Sequence, residues 1–364
     1  MKAVILVGGQ GTRLRPLTLN IGKAMVPVVN KPFLEHMLYY LKGYAVDDIV
    51  LALHYRPSQV EAHFGAGGRL GIKLSYVVEE NPLGTAGAVK NSEQYLGETF
   101  FVLNGDIFTD LDLGAMMAFH GERKAKVTIA LTPVADPTMY GVVETDEGGR
   151  IGRFVEKPSR DQVTSNMINA GIYILEPEVL NSIPAQTHFT FEYNLFPMLL
   201  EMGQPLYGYA THDYWIDIGN PEKYLRLNHD LLLGRCGRGF SYTAEASSIH
   251  STAQIRGPVV IGKDANIGAD VVLQGPTVIG PGCKIGEGTV VEGAVLWSAV
   301  RIGRRAMLQN CIIADNCAIG DEGYIGSGSV LGADVTVARG GRLEPGTKVW
   351  PGTEVESEIL GKRG

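Results

Sequence analysis

The sequence predicts an α/β domain built on a mostly parallel, Rossmann-like sheet, followed by a solenoid of short parallel strands. Three observations carry this. A β-compatible run, Lys2 to Val7, opens the chain and leads directly into the glycine-rich loop Gly8-Gly9-Gln10-Gly11-Thr12-Arg13. Strand-like and helical segments then alternate up to Asp230. From Ile255 onward an aliphatic residue recurs at every sixth position, through Ile261, Ile267, Leu273, Ile279, Ile285 and Val291.

The opening run is apolar without alternation, the pattern of a central parallel strand covered on both faces. The loop after it reads as a triphosphate cradle. Glycines let backbone N–H groups approach phosphate oxygens, and the planar Arg13 guanidinium suits bidentate phosphate contact. Two better-known phosphate loops fail. A P-loop requires a glycine where Leu17 stands and Ser or Thr where Ala24 follows Lys23. A dinucleotide fingerprint starting at Gly9 places Leu14 where a glycine or alanine must close helix on strand. A tight glycine turn without a ligand is the remaining alternative for the loop taken alone.

Further strands are expected at Ile49 to Leu53, Lys73 to Glu79, Phe100 to Leu103 and Val127 to Leu131, with helices such as Phe33 to Lys42 and Thr85 to Tyr95 between them. That order predicts right-handed crossovers and ligands at the carboxyl ends of the strands. Arg226 to His250 is expected to hold a last helix and a linker. This divides the chain into a catalytic domain at 1–232, a linker at 233–250 and a repeat domain at 251–364. Glycine, 47 of 364 residues, concentrates in the last of these, where Gly262, Gly268, Gly280 and Gly286 directly follow the periodic aliphatics. A period of six is neither helix nor simple strand. It resembles the left-handed parallel β-helix, in which each short strand forms one side of a triangular coil. The register slips around Trp297 to Ile302 and near Cys311, and resumes at Ile319, Ile325, Leu331 and Val337; the slips read as corners of altered length.

Composition narrows the function. A net charge of −7 without a basic block argues against a nucleic-acid surface, so any positive site is local and built for a small anion. No apolar stretch reaches the length of a membrane span, and the N-terminal run breaks at Gly8, so a soluble cytoplasmic protein is expected. Cys236, Cys283, Cys311 and Cys317 form no CxxC pair and read as reduced structural thiols.

The chemistry-bearing residues close apolar runs. Phe100-Phe101-Val102-Leu103-Asn104-Gly105-Asp106 ends on a carboxylate, as does Tyr214-Trp215-Ile216-Asp217. Two such aspartates suit a hard cation that keeps waters and phosphate oxygens, which makes Asp106 and Asp217 candidate Mg²⁺ ligands. Either alone could be a helix cap or turn residue. Between them lies Phe154-Val155-Glu156-Lys157-Pro158, an adjacent acid and base. A phosphate-holding lysine beside a hydroxyl-reading glutamate is what a sugar phosphate requires, and a surface ion pair is the alternative.

These segments, with Lys23, Leu83-Gly84-Thr85-Ala86-Gly87 and Asn169-Ala170-Gly171, together resemble the sugar-1-phosphate nucleotidyltransferases, many of which also carry a C-terminal left-handed β-helix. The resemblance spans the chain. It implies that Leu6, Gly8, Gly9, Gly11, Thr12, Arg13, Gly84, Thr85, Asn104 and Asp106 bind the nucleotide, with Lys23 at the phosphates. It further implies that Lys157 holds the sugar phosphate while Gly141, Glu156, Asn169 and Gly171 form the sugar site, and that Asp106 and Asp217 bind Mg²⁺. One departure stands out: the family surrounds the loop lysine with prolines, whereas this chain has Gly22-Lys23-Ala24.

The implied reaction is attack of a sugar 1-phosphate oxygen on the α-phosphorus of a nucleoside triphosphate, releasing pyrophosphate. For the base, Glu79 stands five residues before Gly84, where uridine- and thymidine-using members commonly carry glutamine. A carboxylate accepts from both guanine donors, N1–H and N2–H₂, so GTP is the expected donor. Mannose 1-phosphate is the acceptor that the resemblance favours; glucose differs by one axial hydroxyl, and no single residue decides between them. Two other classes compete. Acyltransferases on similar β-helices rely on a histidine within the helix, but the last histidine here is His250, before the first regular coil. A catalytically silent, regulatory nucleotide-sugar-binding relative is disfavoured by the retention of Arg13, Asp106, Lys157 and Asp217. The solenoid is expected to serve packing and self-association into a homo-oligomer, its coil ends covered by the linker helix and by the tail around Trp350.

Overall fold

The strand Lys2–Val7 lies at the centre of a sheet and is paired in parallel on both edges, with Asp48–Leu53 and Phe100–Asn104. Its residues Ala3, Val4 and Ile5 are fully buried, as an unalternated run requires. The computed structural model describes residues 1–237 and 247–356. They fall into two compact units: Met1–Gly9 with Leu34–Trp215, and Gln10–Phe33 with the chain from Ile216 onward.

The first unit is a nine-stranded sheet with helices between its strands. Its main path runs Ile151–Glu156, Gly141–Thr145, Met167–Leu175, Phe100–Asn104, Lys2–Val7, Asp48–Leu53, Lys73–Val78. The expected strands and helices all appear, displaced by a residue or two at their ends. The expected helix Thr85 to Tyr95 resolves into an α-helix, Gly84–Asn91, and a short 3₁₀ turn, Glu93–Tyr95. The four strands from Phe100–Asn104 to Lys73–Val78 are the parallel core. Strand Met167–Leu175 enters antiparallel beside it and also pairs with Val127–Pro133. Its register on Val127–Pro133 shifts between Asn169 and Tyr173, a bulge that re-aims the side chains there. Below this edge Tyr173, Phe191 and Phe196 pack with centroids 5.0 to 5.5 Å apart.

The second unit is a three-sided parallel β-helix together with the segment Gln10–Phe33, which includes the larger part of the glycine-rich loop. Its faces hold seven, six and six strands. Inward aliphatics stack coil on coil, as in Ile267, Ile285, Ile302, Ile319, Val337 and Val355. The spacing is eighteen residues per coil except where two corners lose one residue each, between Val291 and Leu296 and between Leu308 and Ile313. The second slip falls where the sequence placed it. The first lies a few residues earlier than Trp297, at Gly293, because the sixfold count after the shortened corner is intact from Leu296 to Ile302. Cys283, Cys311 and Cys317 are buried free thiols of this core, and burial pushes them up to about 11, 12 and 12.

The last helix, Pro221–Leu232, starts five residues earlier than expected, with Asn220 as its cap: the Asn220 Oδ1 accepts from the Lys223 N–H at 2.9 Å. It packs along the side of the coils and not across their end. Trp297 Nε1 donates to the Tyr224 hydroxyl at 2.9 Å, and His229 Nε2 meets the Gly293 carbonyl at 2.8 Å. Trp350 is half exposed in a turn after the strand Lys348–Val349. Half of the expected linker, residues 238–246, lies outside the described residues, as does the tail from 357. Among the described residues no helix is long and apolar enough to cross a membrane.

Candidate active site

In the first unit the motifs converge on one polar network at the carboxyl end of the central strands. Leu6 is in register with Asn104, and the next backbone N–H, that of Gly105, donates to the Leu6 carbonyl at 3.0 Å. Asn104 and Asn169 both hydrogen-bond the buried Tyr173 hydroxyl, Asn169 through Nδ2 at 2.9 Å. The Asn169 Oδ1 accepts from the Gly171 N–H at 2.9 Å. Gly171 is in the left-handed region, φ 73°, and a Cβ there would meet the Asn104 amide at 2.6 Å, so glycine is required twice over.

Tyr173 in turn hydrogen-bonds Glu192, which also accepts from the Thr85 hydroxyl at 3.0 Å. The Thr85 Oγ1 itself accepts from the Phe191 N–H at 2.9 Å. Glu192 sits in a single π-helical turn, Phe191–Leu195, a local geometry common at functional sites. Its carboxyl is raised above the ordinary range by burial, against the lowering effect of its own backbone and Thr85 bonds. Glu156 is raised too, by burial first and then by the charge of Glu192. Its carboxylate lies over Gly141, where a Cβ would come within 2.8 Å of the Glu156 Oε2. Lys157 follows with its ammonium 3.6 Å from Glu156 and its side chain 56% exposed. The Lys157 backbone is in the left-handed region, φ 47°, an unusual state for a lysine, and its N–H is tied to the Tyr140 carbonyl at 3.0 Å.

Glu79 is buried while Glu80 is exposed. One of its oxygens, Oε2, accepts from the Leu83 N–H at 3.0 Å, which fixes the carboxylate at the mouth of the Gly84 turn. Burial raises its pKa, against the Leu83 bond and the nearby His54 and His188. Gly84 and Gly87 press against the backbone of Thr187 to Phe189, whose Phe189 carbonyl accepts from the Ala86 and Gly87 N–H groups. Asp106 is partly buried just beyond strand Phe100–Asn104.

The second unit gathers the cationic part. Gly11, φ 63°, lies against the Lys23 stem, its virtual Cβ 3.1 Å from the Lys23 Cβ, and the Thr18 hydroxyl donates to the Gly11 carbonyl at 2.7 Å. Lys23 therefore stands at the loop despite the missing prolines, opening the 3₁₀ turn Lys23–Met25. Thr12 and Arg13 are exposed, and the Arg13 guanidinium comes within 3.4 Å of where a Cβ on Gly219 would be. Asp217 is 7% exposed, accepts from the Gly219 N–H through Oδ1 at 3.0 Å, and pairs with Lys223 through Oδ2.

Sequence reasoning missed Glu192, Tyr173, Lys223 and Arg15. The last has a buried Nε that, with the Asn104 Oδ1, is one of two buried side-chain polar atoms lacking a protein partner among the described residues. Asn104 belongs to a predicted nucleotide motif and Arg15 lies two residues beyond Arg13 of the glycine-rich loop, and an unsatisfied buried group calls for an outside partner. The lone acid between two aromatics at Phe191-Glu192-Tyr193 was the available signal for Glu192.

Comparison with known proteins gives the family. Residues 2–233 match the family described as nucleotidyl transferase, and residues 238–343 match the EIF2B subunit epsilon LbH domain. The chain belongs to the nucleotidyl transferase family, with a left-handed β-helix after the catalytic region. It is 39% identical over 275 residues to a mannose-1-phosphate guanylyltransferase of Mycobacterium tuberculosis, covering 73% of this chain and 76% of that protein. It is 36% identical over 323 residues to mannose-1-phosphate guanylyltransferase 1 of Arabidopsis thaliana, covering 86% of each. Among solved structures, HddC from Yersinia pseudotuberculosis complexed with GMP-PN aligns with a TM-score of 0.54 at 31% identity, over 62% of this chain and 97% of that one.

Proposed function

We propose that this protein is a mannose-1-phosphate guanylyltransferase, joining GTP and mannose 1-phosphate to give GDP-mannose and pyrophosphate. The observation that carries the reading is the pairing of a guanylyltransferase likeness over most of the chain with a buried, anchored carboxylate, Glu79, where a guanine reader is expected. A UTP–glucose-1-phosphate uridylyltransferase of Synechocystis is 37% identical over 62% of this chain, so nucleotide choice rests on this position more than on overall likeness.

The sugar phosphate is already ionised at neutral pH and needs no general base. Catalysis is in-line positioning plus neutralisation of phosphate charge by Arg13, Lys23 and Lys157. The left-handed backbone at Lys157 aims an exposed ammonium beside the Glu156 carboxylate, which with Glu192 reads pyranose hydroxyls. Asn169 has one amide hydrogen left for the sugar after bonding Tyr173 and Gly171.

Members of the family generally use a divalent metal. Asp106 and Asp217 are hard oxygen donors, and among the described residues no three His, Cys, Asp or Glu side chains form a protein-only cage. That donor set fits Mg²⁺, which completes its shell with water and phosphate oxygens and would supply charge neutralisation at the triphosphate. We assign catalysis to 1–232 and a linker after it, which ends earlier than the expected 250 because the first strand of the β-helix, Ser248–Ile249, already pairs with Asn266–Ile267. The protein is proposed to be a cytoplasmic homo-oligomer, a reading supported by the buried thiols Cys283, Cys311 and Cys317 and by exposed Ile249, Ile255, Met307 and Trp350 on the solenoid. The test is pyrophosphate release with GTP, UTP, dTTP and ATP against mannose and glucose 1-phosphates. GTP with mannose 1-phosphate should have the highest kcat/KM; a higher value for UTP or dTTP with glucose 1-phosphate overturns the assignment.

A further inference from the structure

Asp217 is nearly enclosed, and its charge is already met inside the second unit. Its Oδ1 accepts from the Gly219 N–H, and its Oδ2 pairs with the Lys223 ammonium. The Arg13 guanidinium lies close by, over Gly219. Lys223 occupies the first turn of helix Pro221–Leu232, after the Asn220 cap. A cation there is opposed by the field of the helix, which favours an acid such as its neighbour Glu222. Asp217 gives Lys223 a partner against that field. The Lys223 side chain is 33% exposed against 10% for Asp217, so the ammonium can move to water while the carboxylate stays.

We propose that Lys223 is a resident counter-cation of Asp217 that competes with the divalent metal for the Oδ2 oxygen and so sets the metal affinity of the site. This rests on the reading of Asp217 as a metal ligand. A nearly buried carboxylate needs a positive partner when no metal is bound, and Lys223 supplies it. A divalent ion reaching the same oxygen must displace the ammonium, because two cations a few ångströms apart on one carboxylate repel each other. The protein is thereby stabilised without metal at the expense of weaker metal binding, and an arriving triphosphate offers the freed ammonium new anionic oxygens.

The test titrates the full-length protein with Mn²⁺ alone, reading free Mn²⁺ by electron paramagnetic resonance, for wild type, Lys223→Gln, Lys223→Arg and Asp217→Asn. Lys223→Gln should bind Mn²⁺ about three- to tenfold more tightly, with a lower melting temperature in chelator. Lys223→Arg, which keeps the charge and serves as the folding control, should stay near wild type. Loss of Mn²⁺ binding in Asp217→Asn together with unchanged or weaker binding in Lys223→Gln overturns the competition and leaves Asp217 as a ligand. Unchanged binding in both variants removes Asp217 from the metal site and the proposal with it.

Discussion

Glu79 is anchored before any nucleotide arrives, and this sharpens what its amide variant should do. In Glu79→Gln the amide oxygen can keep the Leu83 N–H, which turns the NH₂ toward the position of the other carboxylate oxygen. One guanine donor then faces a donor, and the lost bond plus the clash should cost roughly 1.5 to 3 kcal/mol. The kcat/KM with GTP should fall about ten- to a hundredfold, and that with UTP less. An equal loss for all nucleotides would show that Glu79 does not read the base. Glu192 offers a test of another kind. Its native pKa lies above the ordinary 4.5, so the folded state holds the proton more tightly than the unfolded chain. The associated stability is present below about 4.5 and is lost as pH rises through the native value. Glu192→Gln lacks that loss, so its melting temperature minus that of wild type should increase from pH 5 to pH 8, while its kcat/KM for sugar phosphate drops. A pH-independent difference would mean that the carboxylate does not carry this charge. The two glutamates also mark how far the sequence could be read. Glu79, Glu156, Asp106 and Asp217 sit at or beside the ends of apolar runs and announce themselves. Glu192 is bonded to Thr85, 107 positions away, and its only local signal is to be a lone acid between two aromatics.

At the scale of elements, period and alternation made most of the architecture legible: the parallel strands, the helices between them and the sixfold coils. What escaped was decided by pairing between distant segments. Strand Met167–Leu175 looks locally like any apolar strand, and only its partners make it antiparallel and bulge it at Asn169. The side of the solenoid covered by helix Pro221–Leu232 was equally silent, because it depends on Tyr224 meeting Trp297. The Tyr224 hydroxyl accepts from the Trp297 indole and donates to the Pro27 carbonyl, joining helix, coil and the segment that follows Lys23. Tyr224→Phe keeps the ring but strands a buried indole N–H, and should destabilise the protein by about 1–3 kcal/mol. Denaturant unfolding with an unchanged m-value checks this; a loss of a few tenths would mean that water replaces the hydroxyl.

Across the whole molecule, the solenoid shares a compact unit with the segment Gln10–Phe33, which carries the proposed phosphate contacts Arg13 and Lys23. Asn30 Nδ2 donates to the Ile279 carbonyl at 2.9 Å, and the Val29 N–H donates to Asn228 Oδ1 at 2.8 Å. Asn228 lies on the helix that His229 and Tyr224 fasten to Gly293 and Trp297. The segment Gln10–Phe33, with Arg13 and Lys23, thus draws its support from coils that a truncation after Ser247 would remove. Within the segment the short 3₁₀ turns Thr12–Leu14 and Lys23–Met25 are too small to hold their own geometry. The truncated chain keeps every predicted active-site residue, yet it should bind GTP at least about tenfold more weakly and melt at a lower temperature, besides sedimenting as a smaller species. Asn30→Ala in the full-length chain separates the two effects. It should weaken GTP binding by a smaller factor without changing the sedimentation coefficient. If the truncated chain binds GTP as tightly as the intact one, the loop is self-supporting and the solenoid's part is confined to assembly.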